Sequence, residues 1–321
     1  METEEIKLED LNPKEFIEKK VKEISSSVGE GLAINALSGG VDSSVVTILG
    51  HKALGDRLKT YFIQNGLMRE GEAERVVSLF GKLGVRVEVV DARNEFFGAL
   101  KGLTDPEEKR EAITQTFYRD VFGRIVKESG AKFLFHGTIY TDVEETIAGI
   151  KRQHNILEQL GIDTEKEYGY KVLEPLVELR KPGVREVAKE LGLPEEIHNR
   201  PPFPGPALAA RVIGEVTRDR VETVRKATTI VEEELANTDA FQYFAILHAN
   251  KVTGMREGKR DYGSQIEVRC WDTRDAVTAS PTKLSHEVLE KLAERITSEV
   301  EGIVNVTYNI TRKPPSTMEV V

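Results

Sequence analysis

Apolar runs and amphipathic stretches alternate along the first two thirds of the chain. Residues 32–37, Leu-Ala-Ile-Asn-Ala-Leu, have the continuous apolar pattern of a buried strand, and residues 45–49 open a packed helix. Upstream, Asn12-Pro13 followed by Glu15 predicts a helix start: cap residue, proline at the first position, acid in the first turn. Phe16, Ile17, Val21, Ile24 and Val28 then share one face of that helix. Residues 59–63 predict a second strand, ending in the polar turn Gln64-Asn65-Gly66, with a helix over 71–83. Residues 85–90 predict a third strand, 106–129 a long helical region, and 132–135 a fourth strand. Strands alternating with helices imply an α/β fold with a doubly wound parallel sheet. Ligands of such sheets sit beyond the carboxyl ends of the strands. Gly39, Asn65 and Gly137 all fall at such ends.

The pattern changes further along. Residues 151–170 are polar and irregular, which fits a lid or a plain exposed connector equally. The segment Arg200-Pro201-Pro202-Phe203-Pro204-Gly205-Pro206 has four prolines in seven residues, which excludes helix and central strand. It predicts a boundary between a domain over 1–199 and another over 200–321. After it, a helix (218–235), strand-like runs (241–247 and 264–271), a second helix (284–301) and a last strand-like run (304–310) predict an α+β unit. No internal repeat is visible.

One stretch carries chemistry on its face. Ser38-Gly39-Gly40-Val41-Asp42-Ser43-Ser44 lies between the first strand and its helix. Paired glycines let backbone approach an anion, and the free N–H groups of a helix start point at it. Ser38, Ser43 and Ser44 add hydroxyl donors. Asp42 suits phosphates only if a cation such as Mg²⁺ lies between them. The plainer alternative is a glycine turn capped by serines. The stretch lacks the Gly-Lys-Ser/Thr ending of a Walker A loop and the Gly-x-Gly-x-x-Gly spacing of a dinucleotide site. It resembles the pyrophosphate loop of the N-type ATP pyrophosphatases, which split ATP between the α and β phosphates. That resemblance implies an adenine nucleotide α-hydrolase-like fold.

Composition narrows the class. The chain has 321 residues, 39% of them hydrophobic, and a formal charge of −9. Two domains fit this length, and an acidic balance argues against a general nucleic-acid binder. Cys270 is the one cysteine, so neither a disulfide framework nor a cysteine-rich metal site is available. No signal peptide and no run of membrane-spanning length is present, which predicts a cytoplasmic protein.

Further segments match one family. They are Asn65-Gly66-Leu67-Met68-Arg69, residues 105–110, Gly137-Thr138-Ile139-Tyr140, Glu174-Pro175-Leu176, Phe203-Pro204-Gly205-Pro206, Gly214-Glu215-Val216 and Lys313-Pro314-Pro315-Ser316-Thr317. With the phosphate loop, these resemble the ATP-pyrophosphatase subunit of GMP synthase, in the form whose glutaminase is a separate polypeptide. The resemblance implies a ligase that adenylates XMP at O2 with ATP and aminates it with ammonia, releasing AMP and pyrophosphate. It implies ATP contacts at Ser38, Gly39, Gly40, Val41, Asp42, Ser43, Ser44, Ile63 and Gly137. At Ile63 the contact uses backbone groups, so the side chain serves the core. Catalytic roles fall to Asp42 and Lys181, although Lys181 also reads as a solvated lysine beside Pro182. Metal roles fall to Asp42 and Asp142, although Asp142 also reads as a cap on the next helix. XMP contacts fall to Arg110, Lys313 and Glu319, each otherwise a surface charge. The resemblance makes the second domain a homodimerisation and XMP-binding domain. It also implies a class I glutaminase partner, because Cys270 lacks the sharp glycine turn of a glutaminase nucleophile and reads as packing.

Three places depart from the family pattern, and residues 151–170 match the family lid poorly. Gln64 stands where an aspartate is usual, and is not assigned to metal. Pro201 replaces a histidine, and the tail ends Glu319-Val320-Val321 without the usual Trp-Glu. Rival readings are weaker on the residues. An NAD synthetase would not explain the Lys-Pro-Pro-Ser-Thr tail, and a tRNA-thiolating enzyme needs reactive cysteines. An RNA-binding module would draw on Arg256, Arg260 and Tyr262 but runs against the acidic balance.

Overall fold

The computed structural model describes residues 4–147, 169–198, 202–256, 258–273 and 277–320. The expected lid or connector over 151–170 lies outside the described residues except for Gly169 and Tyr170, as do Pro201 and Val321. The described residues group into two compact units. The first comprises Met1–Gln64, Glu72–Asp91 and Arg119–Arg200; the second comprises Asn65–Gly71, Ala92–Tyr118 and Pro201–Val321. Two segments from the first half of the chain thus cluster with the C-terminal residues.

The first unit opens with helix α1 (Pro13–Val28), whose Glu15 N–H bonds Asn12 Oδ1, as its capping sequence predicts. Phe16, Ile24 and Val28 are buried on its inner face, and each contributes about 2 kcal/mol of apolar burial. The chain continues through β1 (Ala33–Ala36), α2 (Val41–Leu54), β2 (Leu58–Gln64), α3 (Glu72–Lys82) and β3 (Val87–Asp91). All five strands pair in parallel in the order β3-β2-β1-β4-β5, with β4 at Phe133–Phe135 and β5 at Lys171–Leu173. The expected parallel α/β sheet is therefore present, with a fifth strand too short to stand out in the sequence. Helix α1 packs against α2 and against a later helix, Lys181–Glu190.

The region 106–129 is not one helix. It divides into α5 (Pro106–Gln115), a π-helical stretch (Thr116–Phe122) and α6 (Gly123–Ser129). A short helix, α4 (Arg93–Ala99), precedes them. Helix α7 (Tyr140–Ile147) follows β4, and α8 (Lys181–Glu190) and α9 (Glu195–His198) follow β5.

The second unit carries α10 (Arg218–Leu235), β6 (Gln242–Arg256), β7 (Lys259–Asp272), β8 (Ser280–Pro281), α11 (His286–Glu299) and β9 (Ile303–Tyr308). β6 and β7 pair antiparallel, and β9 joins β7 in parallel, so the sheet is mixed. α10 packs on β6 and α11 on β9. Both long strands outrun the apolar segments that predicted them. Residues 251–256 and 259–262 are mostly polar or exposed, yet they pair along the ladder, because backbone pairing asks nothing of side-chain polarity. Among the described residues no helix is long and apolar enough to cross a membrane.

Candidate active site

The order β3-β2-β1-β4-β5 places the topological switch point between β1 and β4, where successive connections leave in opposite directions along the sheet. The Ser38–Ser44 loop leaves β1 at that point, and Gly137 lies just beyond β4. A Cβ added to Gly137 would lie 3.4 Å from both Asp42 Cβ and Ser43 N, so the two loops run within van der Waals reach of each other. Gly39 has φ of 80°, the left-handed turn that swings the chain from strand to helix.

A buried polar chain fixes the loop's base. Thr60 Oγ1 donates to Asn35 Oδ1 (2.8 Å), Asn35 Nδ2 donates to Thr47 Oγ1 (2.6 Å), and Thr47 Oγ1 donates to the Ser43 carbonyl (2.7 Å). Two strands and the first turns of α2 are thereby held in one arrangement. Above them, Ser38 Oγ and Ser43 Oγ share a hydrogen bond of 3.0 Å, and Ser38 N–H donates to Ser43 Oγ. Gly40 occupies the cap position of α2 without a side-chain cap, so the first turn keeps N–H groups available to an anion. Val41 is buried, and the buried Ser44 hydroxyl has no hydrogen-bond partner.

Asp42, in the first turn of α2, is the electrostatic centre. Its Oδ2 accepts from the Lys181 ammonium at the start of α8, and its Oδ1 is buried with no hydrogen-bond partner. Burial pushes its pKa up, against the charge and hydrogen bond of Lys181; Asp142 pushes it up further and Arg185 pulls it down. An unsatisfied buried carboxylate oxygen costs free energy unless a cation or donor meets it. Asp142 Oδ2 accepts from Ile139 N–H (3.0 Å), the capping geometry at the start of α7, while its charge also acts on Asp42. The loop, Gly137, Asp142 and Lys181 are therefore brought together. Ile63 is a buried residue of β2 whose side chain belongs to the core.

Sequence reading missed Arg185, which lies four residues beyond Lys181 on α8 and acts on Asp42. The i, i+4 spacing was the available signal. It also missed a hydrogen-bonded chain beside Gly137, in which His136 Nδ1 meets Thr138 Oγ1 (2.8 Å) and Thr138 donates to Glu174 Oε1.

In the second unit, Arg110 projects from α5 beside Glu107 (3.9 Å). Lys313 forms a backbone bridge with Ala279, and Glu319 lies near the end of the same tail. Glu319 accepts from Arg211 Nη2 (3.2 Å) and Nε (3.3 Å) and from Gln242 Nε2 (2.9 Å). Cys270 is buried and its thiol is pushed up by that burial, which suits packing and not nucleophilic attack.

A parallel sheet with a serine- and glycine-rich loop at its switch point, and an aspartate of that loop paired with a lysine at the start of α8, define a nucleotide-dependent α/β enzyme of the ATP pyrophosphatase class. The profile for NAD synthase matches residues 11–118, and the profile for GMP synthase C terminal domain matches residues 229–320. The B subunit of GMP synthase (glutamine-hydrolyzing) from Archaeoglobus fulgidus is 51% identical over 310 residues, covering 96% of this chain and 99% of the relative. The protein of that name from Thermococcus kodakarensis is 48% identical, covering 95% and 98%, and that from Pyrococcus furiosus 47%, covering 95% and 96%. The chain belongs to the family of GMP synthase B subunits.

Proposed function

We propose that this chain is the synthetase subunit of a two-subunit GMP synthase, a carbon–nitrogen ligase of purine nucleotide biosynthesis. XMP O2 attacks the α-phosphorus of ATP and pyrophosphate leaves. Ammonia then adds at C2, loses a proton, and displaces AMP to give GMP. The observation that carries the reading is the Asp42 loop at the sheet's switch point, within a chain alike to GMP synthase B subunits over nearly its whole length.

The roles follow from charge. Pyrophosphate gains negative charge as it departs, and preorganised donors aimed at it stabilise that change most. Ser38, Gly39, Gly40, Val41, Ser43 and Ser44 supply N–H and hydroxyl donors at the positive end of α2. Ile63 and Gly137 complete the ATP contacts, Ile63 through backbone groups. The partnerless Asp42 Oδ1 fits a divalent cation, so Asp42, with Asp142, would hold Mg²⁺. Bound there, Mg²⁺ supplies neutralising charge for the phosphates. Lys181, 43% exposed and paired with Asp42, can exchange that carboxylate for an α-phosphate oxygen. In the second unit, Arg110 and Lys313 suit the XMP phosphate, and Glu319 the N–H groups of the purine edge.

With Cys270 buried, ammonia comes from a separate class I glutaminase subunit or from solution. The second unit also serves as a homodimerisation domain, and the reading puts the enzyme in the cytoplasm. Neither nucleic acid nor membrane is a partner. The test is pyrophosphate release by the purified chain with ATP, Mg²⁺ and ammonium, with and without XMP. XMP-dependent release with GMP formed is the expected result. Release that ignores XMP sinks the substrate assignment while leaving the ATP pyrophosphatase class in place.

A further inference from the structure

Two residues assigned to XMP, Lys313 and Glu319, lie on a tail that follows β9. Among the described residues it has one backbone bridge, Lys313 to Ala279. Its order comes from elsewhere. Arg211, at the end of a short 3₁₀ turn (Ala207–Arg211), is fully buried. Its guanidinium lies 4.2 Å from the Phe244 ring centroid and 5.0 Å from that of Phe203, and it donates twice to the Glu319 carboxylate. Gln242 bonds the same carboxylate and, from the same amide nitrogen, the Pro202 carbonyl (3.2 Å). A second buried cation, Arg269 on β7, donates from Nη1 to the carbonyls of Thr317 (2.8 Å) and Met318 (2.9 Å). Glu267 holds it at Nε (2.6 Å) and is itself bonded by His248 (2.9 Å). Met318 and Val320 then pack on the cluster of Phe244, Ile246, Trp271 and Ala279.

Burying a charged guanidinium is costly unless geometry and partners are good. Here both cations are directed at the tail. A planar fork between aromatic faces aims a carboxylate along fixed directions, which a lysine cannot do. The two carboxylate oxygens can accept about four hydrogen bonds. The three that Glu319 accepts therefore leave it capacity for a purine N–H. A tail ordered beforehand loses no further conformational entropy on binding, and that saving appears as affinity.

We propose that Arg211 and Arg269 are positioning residues for the XMP half-reaction: Arg211 aims the Glu319 carboxylate, and Arg269 clamps the backbone at Thr317 and Met318. The proposal rests on the assignment of Lys313 and Glu319 to XMP.

The full chain is assayed with ATP, Mg²⁺ and ammonium, and KM for XMP, KM for ATP and kcat are measured for Arg211→Lys, Arg269→Met and Arg269→Lys. Arg211→Lys and Arg269→Met raise KM for XMP about tenfold or more, with kcat and KM for ATP held within about twofold. Arg269→Lys falls between, since an ammonium can still reach one carbonyl. Amide hydrogen exchange accelerates over 313–320 and stays as in the parent over β6 and β7. Folded variants with unchanged KM for XMP overturn the proposal, as does a joint rise in both KM values or faster exchange throughout the second unit. If Arg211→Lys does not fold, the two Arg269 variants decide alone. The underlying assignment fails separately, taking the proposal with it, if the parent shows XMP-dependent synthesis and Glu319→Ala leaves its KM for XMP unchanged.

Discussion

The phosphate loop and the C-terminal tail are built on opposite plans. In the loop, polar groups are left over: Asp42 Oδ1 and the Ser44 hydroxyl are buried without partners, and the N-terminal turn of α2 has no side-chain cap. In the tail, polar groups are consumed: Glu319 takes three bonds and two tail carbonyls share Arg269. A loop that grips a highly charged ligand is best left unsatisfied until that ligand arrives, since its donors then need no rearrangement. A tail with one backbone bridge among the described residues has the opposite need, because side-chain bonds and apolar packing must supply most of what holds it in one conformation. Arg211 Nη1 is an exception within the tail network: it has no hydrogen-bond partner and belongs to the guanidinium between two rings.

The largest effect that sharpens this contrast is at Asp42. Asp42→Asn should lower XMP-dependent pyrophosphate release on the order of 100- to 1000-fold. Its stability should move the other way. A carboxyl whose folded pKa is raised binds more protons folded than unfolded, so stability falls as pH climbs from the ordinary aspartate range through the folded value. The neutral amide removes that loss, and the variant should melt above the parent at neutral pH, with the gap closing under acid. A melting temperature that drops at neutral pH would show that the loop is not strained by its unpartnered carboxylate oxygen.

Lys181→Met comes next. It should cost about 100-fold in kcat, the Lys181 side chain being 43% exposed and free to leave Asp42 for a phosphate. Activity retained in this variant would return Lys181 to its plainer reading, a solvated lysine at a helix start.

In the second unit the comparable buried charge is structural. Lys109 is fully buried on α5, donates to the Val212 carbonyl (2.9 Å), and is lowered to about 8, first by burial and then by the Arg220 charge. A lysine lowered on folding binds fewer protons folded than unfolded. Stability should therefore rise between about pH 8 and the ordinary lysine range near 10.5. The rise is worth a few kcal/mol at most. Urea midpoints at pH 7.5 and 10 should differ more in the parent than in Lys109→Met, and equal differences would remove Lys109 as the cause. The smallest effect is at Cys270. Cys270→Ala should leave ammonia-dependent synthesis intact and cost about 1–2 kcal/mol of stability by urea titration. Loss of synthesis in a folded variant would contradict the packing role.

The two profiles divide the chain as the rival readings did. The NAD synthase profile covers residues 11–118, which carry the loop, and the GMP synthase profile covers 229–320, which carry the Lys-Pro-Pro-Ser-Thr tail. The loop places the protein in a broad class. The C-terminal match narrows that class to the GMP synthases.

By itself, the sequence determined the features that depend on near neighbours. The strand–turn–helix around Ser38–Ser44 was legible because one contiguous segment carries strand pattern, glycine turn and helix start. The Asn12 cap, the first four strands and the long helix Arg218–Leu235 were legible for the same reason. The tertiary structure alone decided which distant groups meet. Asp42 and Lys181 are 139 positions apart, and Arg211 and Glu319 are 108 apart. Periodicity carries no information at such separations, since sheet order and packing bring those side chains together. The same holds for the fifth strand, whose three residues carry too little pattern to stand out, and for the break in 106–129, where amphipathic character persists through a π-helical turn. A charged residue reads as a surface charge until the fold supplies its partner. Arg211 and Lys109, both fully buried, are cations whose partners only the fold disclosed.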